Sequence, residues 1–189
     1  MQKFREFIFK MRGGVWTLLF VIILFMTRKA ETSQIYIAVL IITLGQVWRF
    51  WSAGSIGLYR GENVKAARLA TRGAYALMRN PLYFGNFLIG LGWSIIAGFH
   101  AVIMFIVSFY VLYVLIIIPH EEKFLLSKFN SEYESYCSRV KRFFPASLRL
   151  HDVIDNNFDS KILIKSEIHT LITTLAGTLI IIAVSCYTS

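Results

Sequence analysis

The sequence has few charged residues. Aspartate, glutamate, lysine and arginine together make up 16% of the 189 residues, whereas soluble domains contain about 25%. Hydrophobic residues make up 56%, and the mean hydropathy is +0.58. Several apolar runs approach the roughly 20 residues that a helix needs to cross a bilayer. This balance excludes an ordinary soluble domain and predicts an integral membrane protein.

Several kinds of functional site are also missing from the sequence. Two cysteines, Cys137 and Cys186, are too few for a disulfide framework and have no metal-ligand spacing. The chain has no dinucleotide-binding glycine motif, Walker A loop, HExxH motif or nucleophile elbow. The histidines are scattered along the chain at His100, His120, His151 and His169. We therefore expect no metal site.

Five apolar segments are predicted to be transmembrane helices. In lipid the backbone must bond internally, and these runs lack the alternation of barrel strands. The segments are 13–26, 34–53, 81–98, 101–118 and 168–187. The predicted fold is all-α, a polytopic bundle of about five spans with a helical site at its cytoplasmic face. We expect one domain over 1–189, with a core at 34–146 and an extra C-terminal span at 166–188.

The positive charges predict the orientation in the membrane. Of the 20 lysines and arginines, 17 lie in the arm 1–12, the connector 54–80 and the polar segment 120–165. Arg28 and Lys29 would lie on the opposite side. Cytoplasmic loops are enriched in lysine and arginine, so the N-terminus and both polar segments are predicted to be cytoplasmic. The same pattern explains the net charge of +9 without nucleic acid as a partner.

Arg49 stands near the end of the second predicted span. A charged side chain there is costly and usually faces a cavity or a partner. One interpretation is that its long stem reaches the lipid headgroups. The other is functional, since a planar guanidinium is suited to holding a carboxylate or a phosphate in a bidentate manner.

The first polar cluster, residues 71–85, lies at the start of the third predicted span. Pro81 is predicted to be the first helical residue, because proline at that position loses no hydrogen bond. Taken singly, Arg79 could be a positive anchor, Asn80 an N-cap and Tyr83 an interface aromatic. Together with Tyr75 just upstream, these residues favour a binding site.

The second polar cluster follows the fourth predicted span. Glu121 and Glu122 could simply favour the first turn of a helix, or could bind a cationic ligand or act as a base. Downstream apolar residues recur at helical spacing and predict an amphipathic helix whose stripe is mostly packing. These residues are Phe124, Leu125, Phe129, Tyr133, Tyr136 and Val140. We expect the two clusters to meet at one membrane face.

The combined pattern resembles the isoprenylcysteine carboxyl methyltransferase and phospholipid methyltransferase superfamily. The chain carries Gly-x-Tyr-x-x-x-Arg-Asn-Pro-x-Tyr-x-Gly at 73–85, then Glu-Glu-x-x-Leu-x-x-x-Phe-x-x-x-Tyr-x-x-Tyr at 121–136, then Arg-Phe-x-Pro at 142–145. The likeness covers about 46–145. The segment that begins at Arg49 is also similar to the one that places an arginine near the acceptor in prenylcysteine enzymes.

The resemblance implies a multi-spanning enzyme that uses S-adenosyl-L-methionine. It implies a lipophilic or prenylated acceptor, with Arg49 orienting a carboxylate acceptor or Glu121 taking the proton of an amine or thiol. Such an enzyme mainly aligns the acceptor and excludes water. The residues implied around the cofactor are Tyr75, Arg79, Asn80, Pro81, Tyr83, Glu121, Glu122, Tyr133 and Tyr136.

Two departures from the pattern concern the acceptor. Prenylcysteine enzymes usually carry histidine where this chain has Asn80, and asparagine there is more like the phospholipid branch. Residues 150–189 have no counterpart in the pattern.

Two alternative functions also stay open. The run from Tyr133 to Val140 resembles the tail of NADPH-dependent membrane sterol reductases, and a non-catalytic lipid-binding protein could keep the same fold.

Overall fold

A computed structural model describes residues 11–56, 69–143, 153 and 160–188. Within these residues the secondary structure is helical, and they contain no strand. The predicted all-α membrane fold is therefore confirmed. The interfacial arm at 1–10, most of the connector after the second span and the end of the Arg-Phe-x-Pro motif lie outside the described residues.

The described residues form α-helices and one π-helical segment. The α-helices are α1 (Arg12–Met26), α2 (Thr32–Ser55), α3 (Ala74–Leu77), α4 (Pro81–Ala97), α5 (Phe99–Phe109), α6 (Ile118–Arg139) and α7 (Ser160–Tyr187). A π-helical segment, Tyr110–Ile117, joins α5 to α6.

All five predicted apolar segments are helical. Among the described residues, three helices are long and apolar enough to cross a bilayer, at Thr32–Ser55, Phe99–Arg139 and Glu167–Tyr187. Two apolar helices are shorter, Gly13–Met26 and Pro81–Ala97. At 1.5 Å per residue, 17 residues extend about 26 Å, slightly less than a hydrocarbon core of about 30 Å. The apolar composition of the helices makes this an integral membrane protein.

Proline and glycine fix both ends of helix α4. The helix begins at Pro81, as predicted, and it ends at Ala97. Gly98 alone separates it from α5, whereas the predicted segments 81–98 and 101–118 leave two residues between them. Gly98 has φ +114°, a conformation that side chains with a Cβ rarely adopt.

The polar segment after the fourth span continues the helix. The sequence predicts a span that ends at residue 118 followed by a separate amphipathic helix, but the helical chain runs from Phe99 to Arg139. Asn130 interrupts it with φ 42° and ψ −119°. Asparagine tolerates positive φ better than most residues, which explains its position at this break.

The described chain forms two compact units. The first comprises Met1–Gly45, Phe87–Glu122 and Thr174–Ser189, and the second comprises Gln46–Asn86 and Lys123–Thr173. Aromatic rings fill the interior of the first unit: Trp16 lies 5.6 Å from Tyr113 between ring centroids, and Phe109 stacks on Tyr113 at 4.7 Å. In lipid, such close packing supplies much of the attraction between helices.

Gly92 provides a test of the packing between α2 and α4 in the first unit. A Cβ at Gly92 would lie 2.8 Å from the carbonyl oxygen of Ala38, whereas a Cβ at Gly13 would meet nothing within 4 Å. Glycine-to-alanine exchange normally favours a helix by about 1 kcal/mol. We expect Gly92→Ala to lower the melting temperature in detergent, because a backbone atom cannot move aside, and Gly13→Ala to preserve or raise it. A Gly92→Ala protein that melts no earlier than wild type would contradict this packing.

Candidate functional site

Two of the predicted tyrosines connect the polar clusters within the second unit. Tyr133 and Tyr136 are buried on one side of α6, and their ring centroids lie 6.2 Å apart. The Tyr136 hydroxyl donates a hydrogen bond of 2.7 Å to the carbonyl oxygen of Tyr75. The spacing of three residues places both rings on the same helix face. The end of α6 is thereby held against the segment around α3.

Backbone hydrogen bonds join the same two parts of the chain. The N–H of Arg79 donates to the carbonyl oxygen of Lys141 at 2.9 Å, and the N–H of Asn80 donates to that of Arg142 at 3.3 Å. These residues immediately precede α4 and immediately follow α6. The Arg-Asn-Pro motif is therefore held in place by main-chain atoms.

Asn80 has an unusual environment. Its side chain is buried, and its Nδ2 atom has no hydrogen-bond partner among the described residues. An amide buried without a partner costs free energy. Beside it, Pro81 is fully buried, and Tyr75, Arg79 and Tyr83 are half-buried. This cluster combines aromatic rings, positive charge and an unsatisfied donor, a combination suited to a polar ligand.

Arg49 is buried and paired with a carboxylate. Its Nη2 lies 2.9 Å from Oε2 of Glu167, and its Nε donates to the same oxygen at 3.1 Å. Nη2 also approaches Oε1 of Glu167 at 3.2 Å and the Thr170 hydroxyl at 3.4 Å. Nη1 donates to Oδ1 of Asn86. The Arg49 guanidinium is therefore held inside the protein by side chains of α4 and α7.

The ion pair is isolated from solvent. The side chains of Arg49 and Glu167 are 7% and 1% exposed. Removing one partner of a buried pair costs about 3–5 kcal/mol, because the other charge is left uncompensated. Sequence reasoning missed Glu167, which lies one residue before the predicted fifth span. The sequence did contain a signal for this partner. Glu167 is an acidic residue next to an apolar run, and the second predicted span contains an arginine that needs a counter-charge.

Gln46 lies one helical turn before Arg49. Its side chain is buried, and neither its Oε1 nor its Nε2 has a hydrogen-bond partner in the described part of the chain. Residues three apart lie on the same side of a helix, with Cβ atoms about 5–6 Å from each other. Trp48 packs edge-on against Trp51 and Phe84, each at 5.3 Å between ring centroids. This half of α2 therefore presents an unsatisfied amide next to a neutralised charge.

Glu121 and Glu122 belong to the first unit. Both lie near the start of α6, and both are half-buried. Their role next to a cofactor stays a prediction of the sequence motif. Across residues 11–56, 69–143, 153 and 160–188, no three His, Cys, Asp or Glu side chains come together as a metal site would require.

Comparison with known proteins supports a family assignment. The profile of the family described as phospholipid methyltransferase matches residues 33–132. This match begins in α2 and ends in α6, so it includes Arg49, the Arg-Asn-Pro motif and the two glutamates. It does not include α7. No solved structure matches the chain.

Two bacterial proteins are similar over most of the chain. The nickel-cobalt-cadmium resistance protein NccN of Alcaligenes xylosoxydans xylosoxydans is 29% identical over 151 residues, which cover 74% of this chain and 67% of that protein. The cobalt-zinc-cadmium resistance protein CzcN of Cupriavidus metallidurans is 31% identical, with 74% and 66% covered. The matched part of the chain thus spans about two thirds of these relatives. Delta(14)-sterol reductase LBR of Gallus gallus is 30% identical over 76 residues, 38% of this chain and 12% of that protein.

The hydrogen bond from Tyr136 to Tyr75 can be tested by removing one oxygen atom. Tyr136→Phe leaves the Tyr75 carbonyl without this donor, and we expect a loss of about 0.5–1.5 kcal/mol in stability. Tyr110→Phe is the matched control, because Tyr110 is 53% exposed. Thermal unfolding in detergent measures both. Equal melting temperatures for the two variants would show that the hydrogen bond does not stabilise this part of the fold.

Proposed function

The chain belongs to the phospholipid methyltransferase family, and we propose that it transfers a methyl group from S-adenosyl-L-methionine to a lipid-like or prenylcysteine-like acceptor in the membrane. The observation that carries the proposal is the pairing of the Arg-Asn-Pro motif with the end of α6. Two family motifs far apart in sequence are joined through the backbones of Arg79 and Asn80 and through the Tyr136 hydroxyl.

The residues of this region fit the cofactor. The buried Asn80 amide has a donor atom without a partner in the described chain, and a nucleoside or an amino-acid group offers acceptors. Half-buried Tyr75 and Tyr83 offer aromatic surface, and Arg79 offers a positive charge for a carboxylate. We propose that these residues hold the cofactor together with Pro81, Tyr133 and Tyr136. The motif assigns Glu121 and Glu122 to the same ligand.

The cofactor, when bound, supplies an activated methyl group on a sulfonium. The residues of the protein then need to align the acceptor and exclude water. We propose that Arg49 and its neighbours on α2 position the polar end of the acceptor. For an amine or thiol acceptor, Glu121 is the proposed base that receives the proton. A lipid acceptor would enter from the bilayer, since the helices expose large apolar side chains such as Leu40 and Leu44.

We propose that the N-terminus and both polar clusters face the cytoplasm. The lysines and arginines concentrate in the segments that carry these clusters, and this bias usually marks the cytoplasmic side. A cofactor made in the cytoplasm would then reach the Arg-Asn-Pro motif directly.

The similarity to a sterol reductase favours one alternative function. The match to the chicken protein is limited to 38% of this chain, and the family profile covers a longer stretch. NADPH is nevertheless the correct parallel ligand in a binding test. The names of the two bacterial relatives refer to metal resistance.

Calorimetric titration tests the proposed cofactor. We expect the protein purified in lipid nanodiscs to bind S-adenosylhomocysteine saturably and not to bind NADPH. A protein that then transfers labelled methyl groups to extracted membrane lipids would establish the activity. Saturable binding of NADPH alone would contradict the proposal in favour of a reductase, and binding of neither ligand would favour a non-catalytic lipid-binding protein.

Three substitutions test the assigned roles. Asn80→Ala removes the buried amide, and we expect it to weaken S-adenosylhomocysteine binding by about tenfold, the equivalent of one good hydrogen bond. Glu121→Gln is expected to weaken binding as well. Arg49→Ala should spare cofactor binding and reduce turnover, with its stability measured in parallel because Glu167 loses its partner. If all three variants bind and turn over like wild type, the site lies elsewhere.

A further inference from the structure

Arg49 already holds a carboxylate, and that carboxylate belongs to the protein. All three guanidinium nitrogens of Arg49 donate to acceptors within the second unit: Nε and Nη2 to Glu167, and Nη1 to Asn86. The side of the guanidinium formed by Nε and Nη2 faces both oxygens of Glu167. This is the bidentate arrangement that an arginine would use for the carboxylate of a prenylcysteine.

We propose that Glu167 determines acceptor specificity by occupying the carboxylate position on Arg49, so that the site accepts uncharged polar heads and excludes carboxylates. This inference rests on the proposed function in taking Arg49 to lie at the acceptor site. A carboxylate acceptor could use Arg49 only by displacing Glu167. The Glu167 side chain is 1% exposed, and displacing it would break a buried ion pair, which is unfavourable.

Gln46 is an independent sign of what the site accepts. Its buried amide lacks partners for both its donor and its acceptor in the described chain, and its spacing places it on the same side of α2 as Arg49. An amide group can donate to an ester, and it can both donate to and accept from a hydroxyl. Neutralised Arg49 therefore disfavours an anionic head, and unsatisfied Gln46 offers hydrogen bonds to an uncharged one.

Glu167 lies in α7, outside the stretch that the family profile matches. The carboxylate that neutralises Arg49 therefore comes from outside the matched region. The specificity proposed here is thus not a property of the matched region alone.

Binding of two matched probes tests the inference without the cofactor. The probes are N-acetyl-S-geranylcysteine, which carries a carboxylate, and its methyl ester, which does not; binding is measured in nanodiscs of uncharged phosphatidylcholine. We expect Glu167→Gln to bind the acid at least about tenfold more tightly than wild type does, because Arg49 becomes available to it. Binding of the ester should stay within about twofold of wild type.

Two further variants separate specificity from structure. Arg49→Leu combined with Glu167→Leu removes the pair without leaving a buried charge, and this double variant should not gain binding of the acid. Gln46→Leu should weaken binding of the ester and leave the preference against the acid unchanged. A purely structural role of the ion pair would alter stability but not the preference between acid and ester.

The outcome that overturns the inference is a folded Glu167→Gln protein whose binding of the acid is no tighter than that of wild type, whatever happens to the ester. If this variant does not fold, Glu167→Asp keeps the charge balance but shortens the side chain by one methylene. It should show a smaller gain for the acid, and no gain would again overturn the inference. Because no cofactor is present, these results stand apart from the titration with S-adenosylhomocysteine.

Discussion

The ion pair between Arg49 and Glu167 is the interaction on which the second unit depends. Two charges removed from water are unfavourable singly, and they are tolerated together only when their hydrogen bonds are satisfied. Glu167, Asn86 and Thr170 meet that requirement around one guanidinium. Because Asn86 lies in α4 and Glu167 in α7, the single charge of Arg49 fixes three helices at one depth. Apolar side chains alone could slide past one another in lipid, but hydrogen bonds at this point define a unique register.

Much of the fold follows from composition, because the bilayer allows few solutions. The five apolar segments had to be helical, and Pro81 marks the start of α4 because proline is tolerated at that position. The continuous helix from Phe99 to Arg139 was not predicted. Loss of hydrophobicity after residue 118 indicates where the chain leaves an apolar environment, but a helix does not end there unless its residues or caps require it. The break at Asn130 has only a weak local signal, since asparagine is common in helices and turns alike.

The candidate site was also predictable only in part. The motif around Arg79 and Asn80 is visible in the sequence. Its hydrogen bonds to Lys141 and Arg142 could not be predicted, because they use main-chain atoms that any residue could supply. The buried charge of Arg49 predicts that a partner exists, but not its identity. Glu167 is 118 positions away, in a helix expected only as an extra span. Long-range pairing depends on how helices pack, which hydropathy does not specify.

The second unit contains buried polar groups whose hydrogen bonds are satisfied within the protein and others that have no partner in the described chain. The Arg49 guanidinium is satisfied by Glu167, and the backbone N–H of Arg79 is satisfied by Lys141. The amides of Gln46 and Asn80 are buried, and the described chain offers their unsatisfied atoms no partner. In a membrane such atoms have no water to bind, so retaining them is costly unless a ligand satisfies them. Neutral amides neither impose a charge on a ligand nor repel one. At the proposed acceptor position on α2, Arg49 is already neutralised by Glu167 and the Gln46 amide is unsatisfied, which is the basis for proposing a greasy acceptor with an uncharged head rather than an anionic one.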